Sequence, residues 1–279
     1  MRRGCLRAQP RTQSSIAVSV DGQHWLLVNA SPDLRAQLAA NPVLWPAQGL
    51  RDSRIAGVLL TDAQLDHVTG LAMLREGCPL PLFCTPSVEQ ELRTSFPLLD
   101  VMRHWRGGFP VTSLPEVASE VFRISFLPGL ALQALPLQSN APPYSPRRNR
   151  PQPGDNIGLF IRDTASGKSL LYAPGLGEVT SELRDFMGIA DCLMVDGTFW
   201  SDGEMAAVGL PDASARAMGH LPQSGPGGMI EELAPFRSAR RILIHINNTN
   251  PILNEDSTQY AALTCLGFEV AVDGMEIVL

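Results

Sequence analysis

The stretch LLTDAQLDHVTG, residues 59 to 70, decides how this chain is read. It continues the apolar run that starts at Ile55, which has the length and composition of a buried strand. Asp62, Gln64, Asp66 and His67 then fall within six positions. A strand that ends in closely spaced polar side chains aims them at one place, and carboxylate and imidazole are the groups that ligate cations. The plainer alternative is that Asp66 and His67 only cap the start of a helix.

Composition narrows the classes of function. A chain of 279 residues has room for one large α/β domain with a substantial core, and we read residues 1–279 as a single domain. Hydrophobic residues at 44% and charged residues at 18% fit a globular chain. The net charge of −6 argues against a general nucleic-acid or membrane-surface binder, both of which need a basic face. No apolar run approaches the length of a membrane span, and the basic start MRRGCLRAQPRTQSS lacks the apolar stretch of a secretory signal. A cytoplasmic location is the expectation. Cys5, Cys78, Cys84, Cys192 and Cys265 form no CxxC, so they read as small buried thiols without a disulfide framework.

Strands alternate with helices along the chain. SSIAVSV and HWLLVNA read as a hairpin joined at Asp21-Gly22. SPDLRAQLAAN reads as a helix capped by Ser31, and Asp66 to Glu76 as one helix with Leu71 and Leu74 on a face. LPLFCT is a strand, and Thr85-Pro86 opens the next helix. FRISFL, LALQALPL, NIGLFIRD, KSLLYA, DCLMVDGT, RRILIHI, FEVAV and MEIVL are further strand candidates. Residues 139–156, SNAPPYSPRRNRPQPGDN, are too rich in proline for a helix or a central strand. The pattern predicts a layered α/β or α+β sandwich without a dinucleotide-binding fingerprint.

Asp62 to His67 stands where the metallo-β-lactamase superfamily carries its HxHxDH motif, after a strand and opening a helix. More specifically, nearly the whole chain resembles the pyrroloquinoline quinone (PQQ) biosynthesis protein B family. The resemblance is carried by RTQSSIAVS, VNASPDL, LTDAQLDHVTGLAMLREG, QSNAPPYSPRRNRP, YAPGLGE, MGHLP and ILIHINNTNPILNE. It implies the four-layer αββα sandwich of the metallo-β-lactamase fold, two sheets face to face with helices outside. That family normally begins with a further strand, a glycine-rich turn and a CxCxxC zinc knot. This sequence starts after them and Cys5 does not supply the pattern, so either the start codon was placed too late or the strand and the knot are missing, and a missing strand would leave a sheet edge unpaired.

The resemblance also implies a ligand set. In the superfamily's dinuclear site the first metal uses the first two motif histidines and a later one, which here fall on Asp62, Gln64 and the neighbourhood of Ser139. The bridging aspartate position falls in YAPGLG, which has no carboxylate. The second metal keeps Asp66, His67 and His245. Two imidazoles and one carboxylate with open positions are the ligands of mononuclear non-haem iron oxygenases, although the affinity order also admits Zn(II). Fe(II) is therefore the expected cofactor, with Zn(II) as the competing ion.

Other residues carry weaker signals. His24 and His104 read as surface or packing histidines. His220, in AMGHLP, matches a superfamily histidine that faces the metal, and an imidazole suits proton transfer. Arg147, Arg148 and Arg150 beside Tyr144 form either a solvated loop or a rim that binds substrate carboxylates through guanidinium forks. Asn247 and Asn248 either support the ligand His245 or close a turn. Three functions remain open: an iron-dependent oxygenase that hydroxylates the tyrosyl ring of a glutamate–tyrosine crosslinked PQQ precursor, a metal-dependent hydrolase, and a soluble carrier of PQQ or its precursor toward the periplasm. The expected partner is that small-molecule precursor, without nucleic acid or membrane; a homodimer is left open.

Overall fold

In the computed structural model, residues 6–46, 49, 53–210 and 214–279 are described. Cys5, and with it the question of the knot, lies outside them. The first sheet starts with an antiparallel hairpin, β1 (Ile16–Val18) on β2 (Trp25–Val28), with Ile16 opposite Val28. It continues in parallel through β3 (Ile55–Leu59), β4 (Leu82–Cys84) and β5 (Val111–Ser113). The second sheet holds β6 (Val121–Phe122), β7 (Leu130–Pro136), β8 (Ile157–Asp163) and β9 (Ser169–Ala173) as an antiparallel run. β10 (Cys192–Asp196), β11 (Arg240–Ile244) and β12 (Phe268–Val270) extend it in parallel.

Side-chain alternation along these strands builds the layers. In β10, Cys192 and Met194 enter a core shared with Leu26, Val28 and Leu59 of the first sheet, while Leu193 and Val195 enter another core with Leu183, Met187 and Leu233. Ile242 and Ile244 of β11 face the shared core and Leu243 faces away. On the far side of the first sheet, Leu27, Val58 and Leu60 pack against Leu34, Leu71, Val88 and Leu92. Period-2 strands buried on both faces thus yield three cores between four layers, the αββα sandwich. No helix among the described residues is long and apolar enough to cross a membrane.

Several local expectations change. The helix α1 (Leu34–Ala40) has Asp33 at its N-cap position; Ser31 instead accepts the Asp33 N–H and donates to Gln37. The run from Asp66 to Glu76 splits into α2 (Leu65–Val68) and a 3₁₀ segment Thr69–Gly77. The Gly70 N–H goes to Ala30 O, so the α-helical bond to the carbonyl of Asp66 is not made. α3 (Pro86–Arg93) does start on Thr85, whose hydroxyl accepts the Val88 N–H. Of FRISFL only Phe122 is strand, as the second residue of β6, because a turn from Ile124 to Leu127 ends the extension. MEIVL forms no strand; Met275 and Ile277 instead pack against the inter-sheet core. Cys78, Cys84 and Cys192 are buried as expected, but Cys265 is exposed at the end of its helix.

Candidate metal centre

The carboxyl ends of β3, β10 and β11 converge at one rim of the sandwich, the place where parallel strands deliver side chains to a ligand. After β3 come Thr61 to His67, after β10 Gly197 and Thr198, and after β11 His245. Backbone bonds lock the rim: Gly197 N–H donates to Ile244 O at 2.7 Å, and Ile157 N–H to Thr61 O at 2.8 Å. A bridge pairs Asp62 with Asn156. His245 adopts φ 57°, a left-handed conformation uncommon for a non-glycine residue and concentrated at functional sites.

Asp66, His67 and His245 come together. Their donor atoms lie within 4.8 Å of one another. His245 Nε2 is 3.2 Å and His67 Nε2 3.9 Å from Asp66 Oδ2. Neither Asp66 nor His67 caps the helix, since α2 begins at Leu65 with Gln64 at its N-cap position and no side-chain cap bond. His67 is fixed from behind: its Nδ1 faces both Asp62 oxygens at 2.8 Å. Its Nε2 is buried and has no hydrogen-bond partner. A buried ring nitrogen without a partner is costly unless something binds it, and a cation between His67, Asp66 and His245 is what this donor set suits.

A second group, Asp196, His220 and His245, is also close enough to consider. Its carboxylate is already filled. Asp196 Oδ1 accepts Thr198 N–H at 2.9 Å and the Thr198 hydroxyl at 2.5 Å. Oδ2 accepts Leu176 N–H at 3.0 Å and His220 Nδ1–H at 2.6 Å. Four bonds account for the lone-pair sites of a carboxylate. In the Asp66 group, in contrast, the buried His67 Nε2 has no hydrogen-bond partner, which makes this group the candidate ion site.

The charges fit this arrangement. Burial raises the Asp62 carboxyl, but the charge and hydrogen bond of His67 outweigh it, so the net shift is downward. Asp66 behaves likewise: burial is opposed by the His245 hydrogen bond and by the two imidazole charges, and its pKa ends lowered. For His67, burial disfavours the cation, yet Asp62 and Asp66 push its pKa up to about 9. Asp196 is lowered and His220 raised, each through the other against the cost of burial. His220 stacks on His245 with ring centroids 5.4 Å apart, and His67 meets His245 edge-on at 5.2 Å.

The supporting residues sort as follows. Asp62 supports His67 directly. Gln64 donates to Asn140 O and Ser139 to Gly219 O, so both brace loops beside the site. Asn247 touches no ligand side chain; its amide reaches Thr249 and Met205, and the buried amide beside the site is Asn250, on the carbonyls of Gly197 and Thr198. Asp196 and Thr198 were not anticipated. Asp196, one strand after YAPGLG, grips that loop through Leu176 N–H. The signal was present in DCLMVDGT, an apolar run ending in Asp and Thr like VLLTD.

The arginines of the expected rim are placed as follows. Arg147 pairs with Glu91 at 3.0 Å and Asp155 at 2.9 Å, with both carboxylates buried. Arg148 donates to Ala141 O at 2.6 Å, and the Tyr144 hydroxyl is held by Ala63 O. An arginine between two carboxylates has little left for a third, so Arg147 closes the proline-rich loop onto α3. Arg150 is exposed.

Residues 24–246 match the family model of the beta-lactamase superfamily domain. The coenzyme PQQ synthesis protein B of Ectopseudomonas mendocina is 57% identical over 279 residues, all of this chain and 91% of that protein. The chain belongs to the coenzyme PQQ synthesis protein B family. Its counterpart in Pseudomonas aeruginosa is 54% identical over the same lengths. The crystal structure of Zn(2+)-bound PqqB from Methylobacterium extorquens superposes with a TM-score of 0.87 at 37% identity, covering 100% of this chain and 91% of that one. Human tRNase Z, short form, shares the fold alone, with a TM-score of 0.61 at 16% identity. Membership assigns the chain to PQQ biosynthesis, and the fold together with the donor set supports a metal cofactor.

Proposed function

We propose that this family member is an iron-dependent oxygenase that hydroxylates the tyrosyl ring of a glutamate–tyrosine crosslinked PQQ precursor. The observation that carries the reading is the triad itself: two Nε2 atoms and one carboxylate oxygen facing one point, with His67 Nε2 buried and unpartnered. Fe(II) held there would supply dioxygen activation, because three protein ligands leave coordination positions open. Zn(II) competes for the same donors, and the zinc-bound relative is consistent with that competition.

The remaining residues have roles of their own. Asp66 is the one ligand that also lines an open cleft of about 350 Å³, with Gln13, Pro32, Gln64, Leu65, Thr69 and Pro143 around it. This cleft is the side from which the precursor would reach the ion. His220 has Nδ1 committed to Asp196, which leaves Nε2 to accept or return a phenol proton. Asp196 orients the imidazole and stabilises its charged form.

The test is anaerobic purification with metal analysis, followed by dioxygen uptake with the crosslinked precursor. Oxygen consumption that depends on both iron and precursor, with a hydroxylated product, is expected. Cleavage of the precursor by the zinc form without oxygen would replace this reading with a hydrolase. Tight binding with the precursor unchanged under every metal would replace it with a carrier.

A further inference from the structure

We infer that Gln13 is a specificity-determining residue whose side-chain amide hydrogen-bonds a carboxylate of the substrate in the cleft beside Asp66. The polar residues that line this cleft are Gln13, Gln64, Asp66 and Thr69. None of its described lining residues is a lysine, an arginine or a histidine, and Arg147, Arg148 and Arg150 all lie outside the lining. A carboxylate entering there meets neutral side-chain donors only. The Thr69 hydroxyl gives its one hydrogen to Leu65 O at 2.8 Å, and the Gln64 amide donates to Asn140 O at 3.2 Å. Gln13 differs, because its side chain has no hydrogen-bond partner among the described residues.

The backbone around it is braced. Gln13 N–H donates to Asp33 Oδ2 at 3.0 Å, and its carbonyl accepts the Gln37 side-chain amide at 2.8 Å. Thr12 N–H donates to Asp273 Oδ2 at 2.9 Å, and Thr12 Oγ1 accepts the same Gln37 amide at 2.9 Å. On the other side, the Ser15 hydroxyl donates to Asn29 O at 2.8 Å, directly before β1. With both backbone groups of Gln13 taken, the amide is what it presents to the cleft. A primary amide carries two N–H donors, and an ionised carboxylate only accepts. Such a donor on a braced segment orients a polar group with little further ordering of the chain. In a mostly apolar cleft, a few placed polar groups of this kind fix orientation and supply specificity.

The inference rests on the substrate proposed above, and the experiment separates the two. Binding of the glutamate–tyrosine crosslinked precursor, and of its fully methyl-esterified form, is measured by anaerobic calorimetry on the Zn(II)-loaded protein. Gln13→Ala removes the donors; Gln13→Glu keeps the shape and sets a negative charge against the carboxylate. Affinity for the precursor should fall about tenfold in Gln13→Ala, the size of one hydrogen bond to a charged group. It should fall further in Gln13→Glu. The ester should bind the wild type and Gln13→Ala alike, and the melting temperature of Gln13→Ala should not move, since the side chain has no partner to lose. Equal precursor affinity in wild type and Gln13→Ala would overturn the inference, as would an equal loss with the ester or full affinity in Gln13→Glu. Dioxygen uptake by the iron form then judges the reaction separately. Gln13-dependent binding without uptake keeps the inference and removes the oxygenase; uptake with Gln13-independent binding does the reverse. A wild type that does not bind the precursor overturns both.

Discussion

Asp62 and His67 form a buried pair at the floor of the metal centre, with both carboxylate oxygens 2.8 Å from Nδ1 and side-chain exposures of 3% and 2%. Asp62 occupies the position where the superfamily motif starts with a metal-binding histidine. Here the carboxylate turns to its neighbour in the motif and holds the candidate ligand His67 at Nδ1. Asp62→Asn should therefore weaken metal binding about 10–100-fold without abolishing it. His67→Ala and His245→Ala, which remove ligand atoms, should abolish it. Chelator competition on the three variants checks the ranking. Equal loss in all three would place Asp62 among the ligands.

The raised pKa of His67 makes metal binding depend on pH. With no ion bound, the imidazole holds a proton up to about pH 9 because Asp62 and Asp66 flank it, above the ordinary imidazole value of 6.5. That charged cluster favours the metal-free fold fully below about pH 6.5, and the contribution is lost as pH rises through about 9. An incoming cation must displace the proton, so affinity should rise with pH up to about 9 and binding at neutral pH should release protons. Calorimetry in buffers of different ionisation enthalpy reads the number released. Binding at pH 7 without proton release would mean that His67 is neutral before the ion arrives.

Gly70 sets the approach of the metal-binding segment to the first sheet. A Cβ there would lie 2.1 Å from Ser31 O and 2.8 Å from the Ala30 carbonyl carbon, both backbone atoms with little freedom to yield. The same backbone strip exchanges bonds with the segment, Gly70 N–H to Ala30 O and Ala30 N–H to His67 O. Gly70→Ala should cost about 1–3 kcal/mol by overpacking and should also weaken metal binding, because Asp66 and His67 shift with the segment. Thermal melts of the metal-free protein and chelator competition measure the two effects. A loss of stability with unaltered metal affinity would show that the segment yields elsewhere.

What the sequence disclosed and what it hid divide along a physical line. The apolar runs at Ile55–Leu60, Cys192–Val195 and Ile242–Ile244 each supply one strand with both faces buried, and a polar residue directly after such a run lies at the rim. The runs marked the rim, and the family resemblance singled out Asp66, His67 and His245, which the structure brings together. Asp196 ends its strand in the same way, but a single aspartate before a glycine also reads as a turn, and its four hydrogen bonds come from segments far apart in the chain. The fate of the arginines was hidden for the same reason. Nothing near Arg147 in sequence announces Glu91, which belongs to α3 and enters the loop only through packing.

The arginine loop provides the last prediction. Arg147 lies 3.0 Å from Glu91 and 2.9 Å from Asp155, with side-chain exposures of 16%, 3% and 2%. Ser145 also donates to Glu91 Oε1 at 2.5 Å. Removing the cation from such a buried group leaves two carboxylates near each other without compensation, a loss of about 3–5 kcal/mol. Arg147→Ala should therefore lower the melting temperature markedly, and Arg147→Lys should restore only part of it, because one ammonium cannot reproduce the fork that spans both partners. Arg150→Ala, at an exposed position, should change stability by no more than about 0.5 kcal/mol. Paired melts with precursor-binding measurements decide between loop closure and a substrate rim. A rim would instead leave the melting temperature of Arg147→Ala unchanged and weaken precursor binding about tenfold, the factor that corresponds to 1.4 kcal/mol.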